Sequence, residues 1–147
     1  MHPSEPDTAW FVPAIKAEKQ ELSLSKDAKT SADISGIIGL GGEVVGSAVI
    51  SFPKAIALSV ASAMFMDELK DFNEDVKDAI GEFTNIVVGN ARNQLVNSGL
   101  NVTISTPTII VGADHAISHP HHIPFIIIPF KTSLGTFQIN IGIKTEK

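Results

Sequence analysis

Apolar residues in the first half of the chain follow first a strand pattern and then a helical one. Residues 32–40 and 44–52 are rich in β-branched side chains and flank a pair of glycines, a pattern that predicts a β-hairpin. Residues 54–69 then carry apolar side chains at helical spacing. Because serine is a good N-cap and proline is tolerated in the first helical turn, we expect this helix to start at Ser51 and Pro53.

The longest periodic segment covers residues 73–98 and predicts a second, central helix. Asn73 is a suitable N-cap, acidic residues follow it at the positive end of the helix, and Gly99 can end it. Three further strands are predicted over residues 102–111, 123–131 and 136–144. Blocks of strands around two helices predict an α+β domain, with an antiparallel sheet of about six strands and two main helices packed on one face.

The amino-terminal residues depart from this pattern because they are polar and contain prolines. We expect a loose leader over residues 1–20, in which a short apolar clump around Trp10 docks on the core. Residues 21–25 alternate polar and apolar side chains and predict a short strand. The 147 residues are the length of one ordinary domain, so we expect a single domain over residues 1–147.

Composition and charge narrow the possible functions. The chain has no cysteine, which excludes disulfides, thiolate metal sites and cysteine nucleophiles. It carries 11 basic and 16 acidic residues and a formal net charge of −5, without a basic stripe, so nucleic acid is not an expected partner. No apolar run reaches the roughly 18–20 residues that cross a bilayer, and no signal sequence is visible. We therefore expect a cytoplasmic protein without a membrane partner.

The central helix has an apolar and a polar face when it is drawn at 100° per residue. The apolar stripe consists of Val76, Ile80, Phe83, Val87 and Ala91. The opposite side holds Asp78, Glu82, Asn85, Gly89 and Arg92. Glu82 and Asn85 are three residues apart, so they are neighbours that point the same way. This face is either an ordinary solvated surface or a surface for a partner.

Two glycines inside the central helix favour the second interpretation. Gly81 and Gly89 each cost about 1 kcal/mol of helix stability relative to alanine. Both are expected toward the polar side, where packing against the core does not require them. A floor without side chains beside a carboxylate and an amide would let another macromolecule approach closely. The E-x-x-N spacing alone is common and therefore only weak evidence for such a site.

A longer pattern around these residues resembles a known family. The sequence DAIGEFTN over residues 78–85 fits the D/S-x-x-x-E-x-x-N motif of the CheC/CheX/FliY phosphatases, and Pro107 follows just over twenty residues later. The stretches DISGIIGL at 33–40 and NEDVKDAIGE at 73–82, with His119-Pro120 and Ile123-Pro124, look most like CheX. The resemblance covers roughly residues 32–143. The leader departs from it, because CheX proteins usually open with a long helix.

This resemblance implies a function. CheX proteins hydrolyse the aspartyl phosphate of CheY-type response regulators, in chemotaxis or related two-component signalling. By resemblance, Asn85 would orient the attacking water and Glu82 would pair with the active-site lysine of the regulator. The rest of the partner-binding surface is expected at Asp78, Gly81, Gly89 and Arg92. The resemblance also implies a homodimer with no cofactor of its own, since the regulator supplies Mg²⁺.

Two alternatives to the phosphatase remain at this point: a CheX-fold module that binds regulators or adaptor proteins without hydrolysis, and a purely structural protein that assembles through its sheet. A metal site is also conceivable because four histidines crowd eight residues, at positions 115, 119, 121 and 122. The segment contains Pro120 and lies between two predicted strands, so we interpret it as a loop and predict no structural metal site.

Overall fold

Nine strands and two helices form the described part of the chain. A computed structural model describes residues 9–12, 15–21, 23–25, 32–115 and 125–145. The helices are α1 (Lys54–Phe65) and α2 (Glu74–Asn97). The strands are β1 (Ala9–Val12), β2 (Ile15–Lys19), β3 (Ser23–Ser25), β4 (Ala32–Gly42), β5 (Val44–Phe52), β6 (Val102–Ile104), β7 (Thr108–His115), β8 (Phe125–Thr132) and β9 (Gly135–Thr145).

All nine strands join one antiparallel sheet, in the order β1-β2-β8-β9-β5-β4-β6. β3 shares the edge of β8 with β2, and β7 shares the edge of β4 with β6, so the nine strands occupy seven positions. The predicted α+β class with an antiparallel sheet and two helices is confirmed. The strand predicted over residues 102–111 is split in two, because residues 105–107 leave the sheet between β6 and β7.

The core lies between the helices and one face of the sheet. In the ladder Ile34 pairs with Phe52, and Ile50 pairs with Ile139, so these buried side chains share the face that α1 and α2 cover. Phe137 stacks on Phe52 and on Phe130 at ring distances of 5.0 and 5.1 Å. From α2, Phe83 meets Phe52 edge-on at 5.6 Å, a preferred aromatic geometry.

The start of α1 differs from the prediction. Ser51 is not its N-cap, because Ser51 is a buried residue of β5 whose Oγ lies 2.8 Å from Ser35 Oγ. Pro53 occupies the N-cap position and offers no side-chain hydrogen bond. The cap comes instead from β4, where Asp33 Oδ2 accepts the Lys54 backbone N–H at 2.9 Å. A carboxylate there also favours the positive end of the helix.

The end of α1 falls four residues before the predicted boundary at residue 69. Met66 adopts φ 54° and ψ 40°, in the left-handed region. Its N–H donates to Ala63 O at 3.3 Å, and the Asp67 N–H donates to Ser62 O at 3.1 Å. These two bonds form a Schellman motif, in which the Met66 position normally carries glycine. The side chain of Met66 is 91% exposed, so little packing offsets the backbone conformation.

The bounds of α2 agree with the prediction to within a residue at each end. Asn73 is the N-cap, and its Oδ1 accepts the Val76 N–H at 3.0 Å. At the other end Gly99 has φ +95° and stops the helix. Local capping signals therefore define the element that carries the candidate site.

The expected loose leader over residues 1–20 is wrong for β1 and β2. These strands form an antiparallel pair in which the backbone of Trp10 pairs with that of Ala17, and β2 continues onto β8 through Glu18 and Lys19. The short strand predicted over residues 21–25 is confirmed as β3. In the described ranges, neither helix is long and apolar enough to span a membrane.

Candidate functional site

The predicted core stripe of α2 is buried over its first four members. Val76, Ile80, Phe83 and Val87 pack in the core, as expected. Ala91, the fifth, is exposed. It borders a cavity of about 340 Å³ between α2 and the apolar face of the sheet, so no described side chain covers it.

The two motif residues, Glu82 and Asn85, both lie on the outward face of α2. Residues at this spacing have Cβ atoms about 5–6 Å apart, so the carboxylate and the amide are adjacent. Among the described residues, neither side chain has a hydrogen-bond or ion-pair partner. Asp78 is exposed one turn earlier on the same side. The structure thus brings the predicted pair together and leaves both groups available to another molecule.

A tight contact that the sequence analysis missed fixes this part of α2 on the sheet. Thr84 lies between the motif residues in sequence, is fully buried, and donates its hydroxyl to Ile80 O at 2.7 Å. Its side chain sits on Gly36 of β4. A Cβ added at Gly36 would overlap Thr84 Oγ1 and lie only 3.1 and 3.2 Å from Cβ and Cγ2. The absence of a side chain at Gly36 therefore sets how closely α2 approaches β4.

The burial of Thr84 could have been predicted from the sequence. It lies four residues after Ile80 and three before Val87, so helical spacing places it on the core side. A threonine there needs a local acceptor for its hydroxyl, and the carbonyl one turn earlier supplies it.

Gly81 does not lie on an exposed floor, so that expectation is wrong. It is buried under the segment between β6 and β7. A Cβ at this position would lie 3.7 Å from Ile109 Cδ1 and 3.8 Å from Pro107 Cγ, which are ordinary contact distances. Ser105 anchors this segment to β4, since its Oγ accepts the Gly39 N–H at 2.8 Å. Pro107 is therefore held against α2 at Gly81, the residue that precedes Glu82 in the sequence.

Gly89 and Arg92 have different environments. Gly89 is half-buried, and a Cβ there would meet nothing within 4 Å, so it does form an open position. Arg92 is also half-buried, and its Nε donates to Val102 O at 2.7 Å. This bond links the second half of α2 to β6, so the guanidinium has a structural role within the chain.

The described residues contain no group of three or more histidine or acidic side chains arranged to hold a metal ion. Most of the histidine segment at residues 115–122 lies outside the described residues. The site itself consists of a carboxylate and a neutral amide on a capped helix. Such a pair can hold a cation and orient a water molecule, and it can act on a group that a partner brings to it.

Comparison with known proteins places this arrangement in a family. The family model "Chemotaxis phosphatase CheX" matches residues 34–131, which include most of β4, both helices, and Glu82 and Asn85. The chain belongs to the CheX family.

Relatives in the CheX family share both sequence and fold with this chain. The CheY-P phosphatase CheX of Thermotoga maritima is 37% identical over 79 residues, which are 53% of this chain and about half, 51%, of that relative. The crystal structure of a chemotaxis protein CheX from Desulfovibrio desulfuricans superposes with a TM-score of 0.84 at 34% identity, covering 90% of this chain and 89% of that one. A CheX–CheY–BeF₃–Mg²⁺ complex from Borrelia burgdorferi matches with a TM-score of 0.72 at 30% identity, covering 87% and 84%.

Proposed function

We propose that this protein is a phosphatase that accelerates hydrolysis of the aspartyl phosphate of a CheY-type response regulator, in chemotaxis or related two-component signalling. The observation that carries the proposal is the pair Glu82 and Asn85, which are exposed and without a partner among the described residues, on a helix held against β4 by the Gly36–Thr84 contact. The T. maritima relative, a CheY-P phosphatase, and the B. burgdorferi complex of CheX with CheY support it.

Asn85 orients the attacking water in this mechanism. An aspartyl phosphate is already a reactive acyl phosphate, and its hydrolysis requires little covalent chemistry from a second protein. What remains is to place a water in line with the bond that breaks. A neutral amide suits this task because it donates and accepts hydrogen bonds at once. Positioning of this kind can lower a barrier by several kcal/mol through entropy alone.

Glu82 acts on the regulator and not on the water. A carboxylate aimed at the phosphoryl oxygens would repel their negative charge, which makes it a poor neighbour for the reacting group. The same carboxylate forms a strong charge-assisted hydrogen bond with a lysine. We assign Glu82 to the active-site lysine of the regulator, so that this ion pair fixes Asn85 opposite the phosphate. Asp78 lies one turn away, at the rim of the contact.

The remaining parts of the proposal concern assembly and metal. The B. burgdorferi complex contains Mg²⁺ together with CheY and BeF₃. We assign Mg²⁺ here to the regulator as well, so the chain contributes only side chains to the reaction. A homodimer in the cytoplasm completes the proposal, and light scattering during size-exclusion chromatography tests the dimer.

Asn85→Ala tests the assigned chemistry. We expect it to reduce the acceleration of regulator dephosphorylation by roughly 10²-fold or more, because misplacing a reacting group has effects of that size. The measurement is the decay of phosphorylated CheY-type regulator with time. Asn97→Ala is the matched control, since Asn97 is an exposed asparagine at the end of the same helix.

The same assay separates the phosphatase from a binding module. Wild-type acceleration by Asn85→Ala would refute the role of Asn85. If the wild-type protein bound BeF₃⁻-activated regulator but left the decay rate unchanged, it would be a non-catalytic CheX-fold module. If it did neither, only a structural role would remain.

A further inference from the structure

A groove runs along the molecular surface from Asn85 toward the end of α2. It has a volume of about 460 Å³ and lies between α2 and β6. We call it the α2–β6 groove and define it by Ile86, Gly89, Asn90, Arg92, Asn93, Thr103 and Ile104, with Asn85 at one end. None of these seven residues has a part in the chemistry proposed above.

The helix side of the groove is unusual for a surface in water. Between residues 83 and 97 the only charged residue is Arg92, and its Nε is bonded to Val102 O. Four of the exposed positions, 85, 90, 93 and 97, carry asparagine, which is a poorer helix former than the lysine or glutamate common on solvated helices. Ile86 stands among them with 49% of its surface exposed. A polar surface with few charges around an apolar side chain is typical of a protein interface.

Gly89 lines the groove, and packing among the described residues does not require it. Because a Cβ there would meet nothing within 4 Å, alanine would fit. Alanine would also favour the helix by about 1 kcal/mol. The position is therefore suboptimal for the isolated protein. A glycine at this position lets the surface of another protein approach α2 closely.

The charges on α2 indicate which protein that is. The exposed residues before the motif are acidic: Glu74, Asp75 and Asp78. The one described lysine of this turn, Lys77, is paired with Glu74 at 3.2 Å. A phosphorylated regulator brings negative charge to Asn85, so the acidic start of α2 beyond Asp78 disfavours further contact. The groove has no carboxylate in its lining, and its one charged residue is the basic Arg92. Stable interfaces bury about 800 Å² per partner, so a regulator at Asn85 must cover neighbouring surface on one side.

We propose that the α2–β6 groove docks the regulator, with the surface beside its phosphorylated aspartate seated on Gly89 and Ile86 as the apolar anchor. This inference rests on the proposed function, because it takes the regulator at Asn85 as given. The groove then sets affinity and choice of regulator, while Asn85 sets the rate of hydrolysis. The two roles are separable because they belong to different side chains of α2.

Two substitutions test the groove. Gly89→Leu places a side chain into the groove without disturbing the core, and Ile86→Ala removes the anchor. We expect each to raise the Kd for a CheY-type regulator activated with BeF₃⁻ and Mg²⁺ roughly tenfold or more, as for central interface residues. KM for dephosphorylation rises in parallel while kcat stays at the wild-type value. Asn97→Leu is the matched control, because it adds the same side chain to α2 outside the groove.

The outcomes distinguish this inference from the proposed function. Wild-type Kd and KM in Gly89→Leu and Ile86→Ala would overturn the groove, while loss of kcat in Asn85→Ala would still support the phosphatase. Conversely, weaker binding by the groove variants with unchanged hydrolysis by Asn85→Ala would support the groove and refute the chemistry. A melting temperature of Gly89→Leu at or above the wild-type value excludes misfolding as the cause, and a Kd shift of equal size in Asn97→Leu would overturn the groove.

Discussion

Replacing Gly36 by alanine perturbs the contact that positions the candidate site. Gly36 lies in β4 beneath α2, and the added methyl group points at Thr84. It overlaps Thr84 Oγ1 and approaches two further atoms of that side chain to 3.1 and 3.2 Å. Rotation of Thr84 does not relieve the contact, because Cβ is fixed on the helix backbone. It would also break the hydroxyl bond to Ile80 O, which is 2.7 Å long and buried.

The expected loss of stability follows from these contacts. Overpacking a well-packed core costs about 1–3 kcal/mol. Alanine recovers about 0.5–1 kcal/mol of this, since glycine in a strand loses more backbone entropy on folding. The midpoints of these two ranges leave a net loss for Gly36→Ala of about 1 kcal/mol, which lowers Tm by about 2–4 °C for a chain of this size.

Chemical denaturation of a small set of variants measures this effect. Gly39→Ala is the matched control, because it lies in the same strand and its Cβ would meet Ser105 Oγ at an ordinary 3.5 Å. Thr84→Ala in the Gly36→Ala background removes two of the three crowded atoms. The double variant should be more stable than the sum of the single effects predicts, by about 1 kcal/mol. Gly36→Ala should also lower kcat for dephosphorylation, because a displacement of α2 moves Asn85.

Two results would refute this reasoning. The first is a stability of Gly36→Ala equal to that of Gly39→Ala, which would mean that α2 does not press on β4 at this point. The second is strict additivity of Gly36→Ala and Thr84→Ala, which would place the cause of any destabilisation elsewhere.

Two further predictions concern the ends of α1. Met66→Gly should raise the free energy of unfolding by about 1 kcal/mol, because glycine adopts the left-handed conformation without a Cβ penalty and the exposed methionine side chain contributes little packing. Met66→Ala, which keeps Cβ, is the control. A lower Tm for Met66→Gly than for the wild type would contradict the argument. Asp33→Ala should lower stability by about 1 kcal/mol, because the Lys54 N–H loses its acceptor. Asp33→Asn keeps an acceptor oxygen and should recover most of this loss, so equal losses in the two variants contradict the capping role.

Local signals in the sequence correctly predicted the elements that depend on neighbouring residues alone. The glycine pair predicts the hairpin of β4 and β5, and the cap at Asn73 predicts the start of α2. The predicted start and end of α1 were wrong because both depend on features that local sequence signals do not show. Its cap is Asp33, twenty-one positions before Lys54, and its end depends on a left-handed conformation at Met66, where methionine gives no indication of it.

The candidate site also combines features that depend on neighbouring residues with features that depend on residues far away in the sequence. The adjacency of Glu82 and Asn85 is a consequence of helical spacing and could be predicted as soon as the helix was. The burial of Gly81 could not be predicted, because it packs against Pro107 and Ile109, which lie more than twenty positions later in the sequence. Helical spacing put Thr84 on the core side, but only the pairing of β4 within the sheet shows what it touches.

The proposed chemistry makes the packing beneath α2 part of the site. The chain offers the regulator one amide and one carboxylate, so its contribution to the rate is almost entirely orientation. Orientation is sensitive to small displacements, and about 1 Å can cost roughly 10²-fold in rate. α2 therefore has to be held in place from several sides. Asn73 caps its start, Arg92 links its second half to Val102 of β6, and Thr84 presses on β4 between the motif residues. Of the three, the Thr84 contact lies closest to Asn85, so substitutions beneath it should change kcat before they abolish folding.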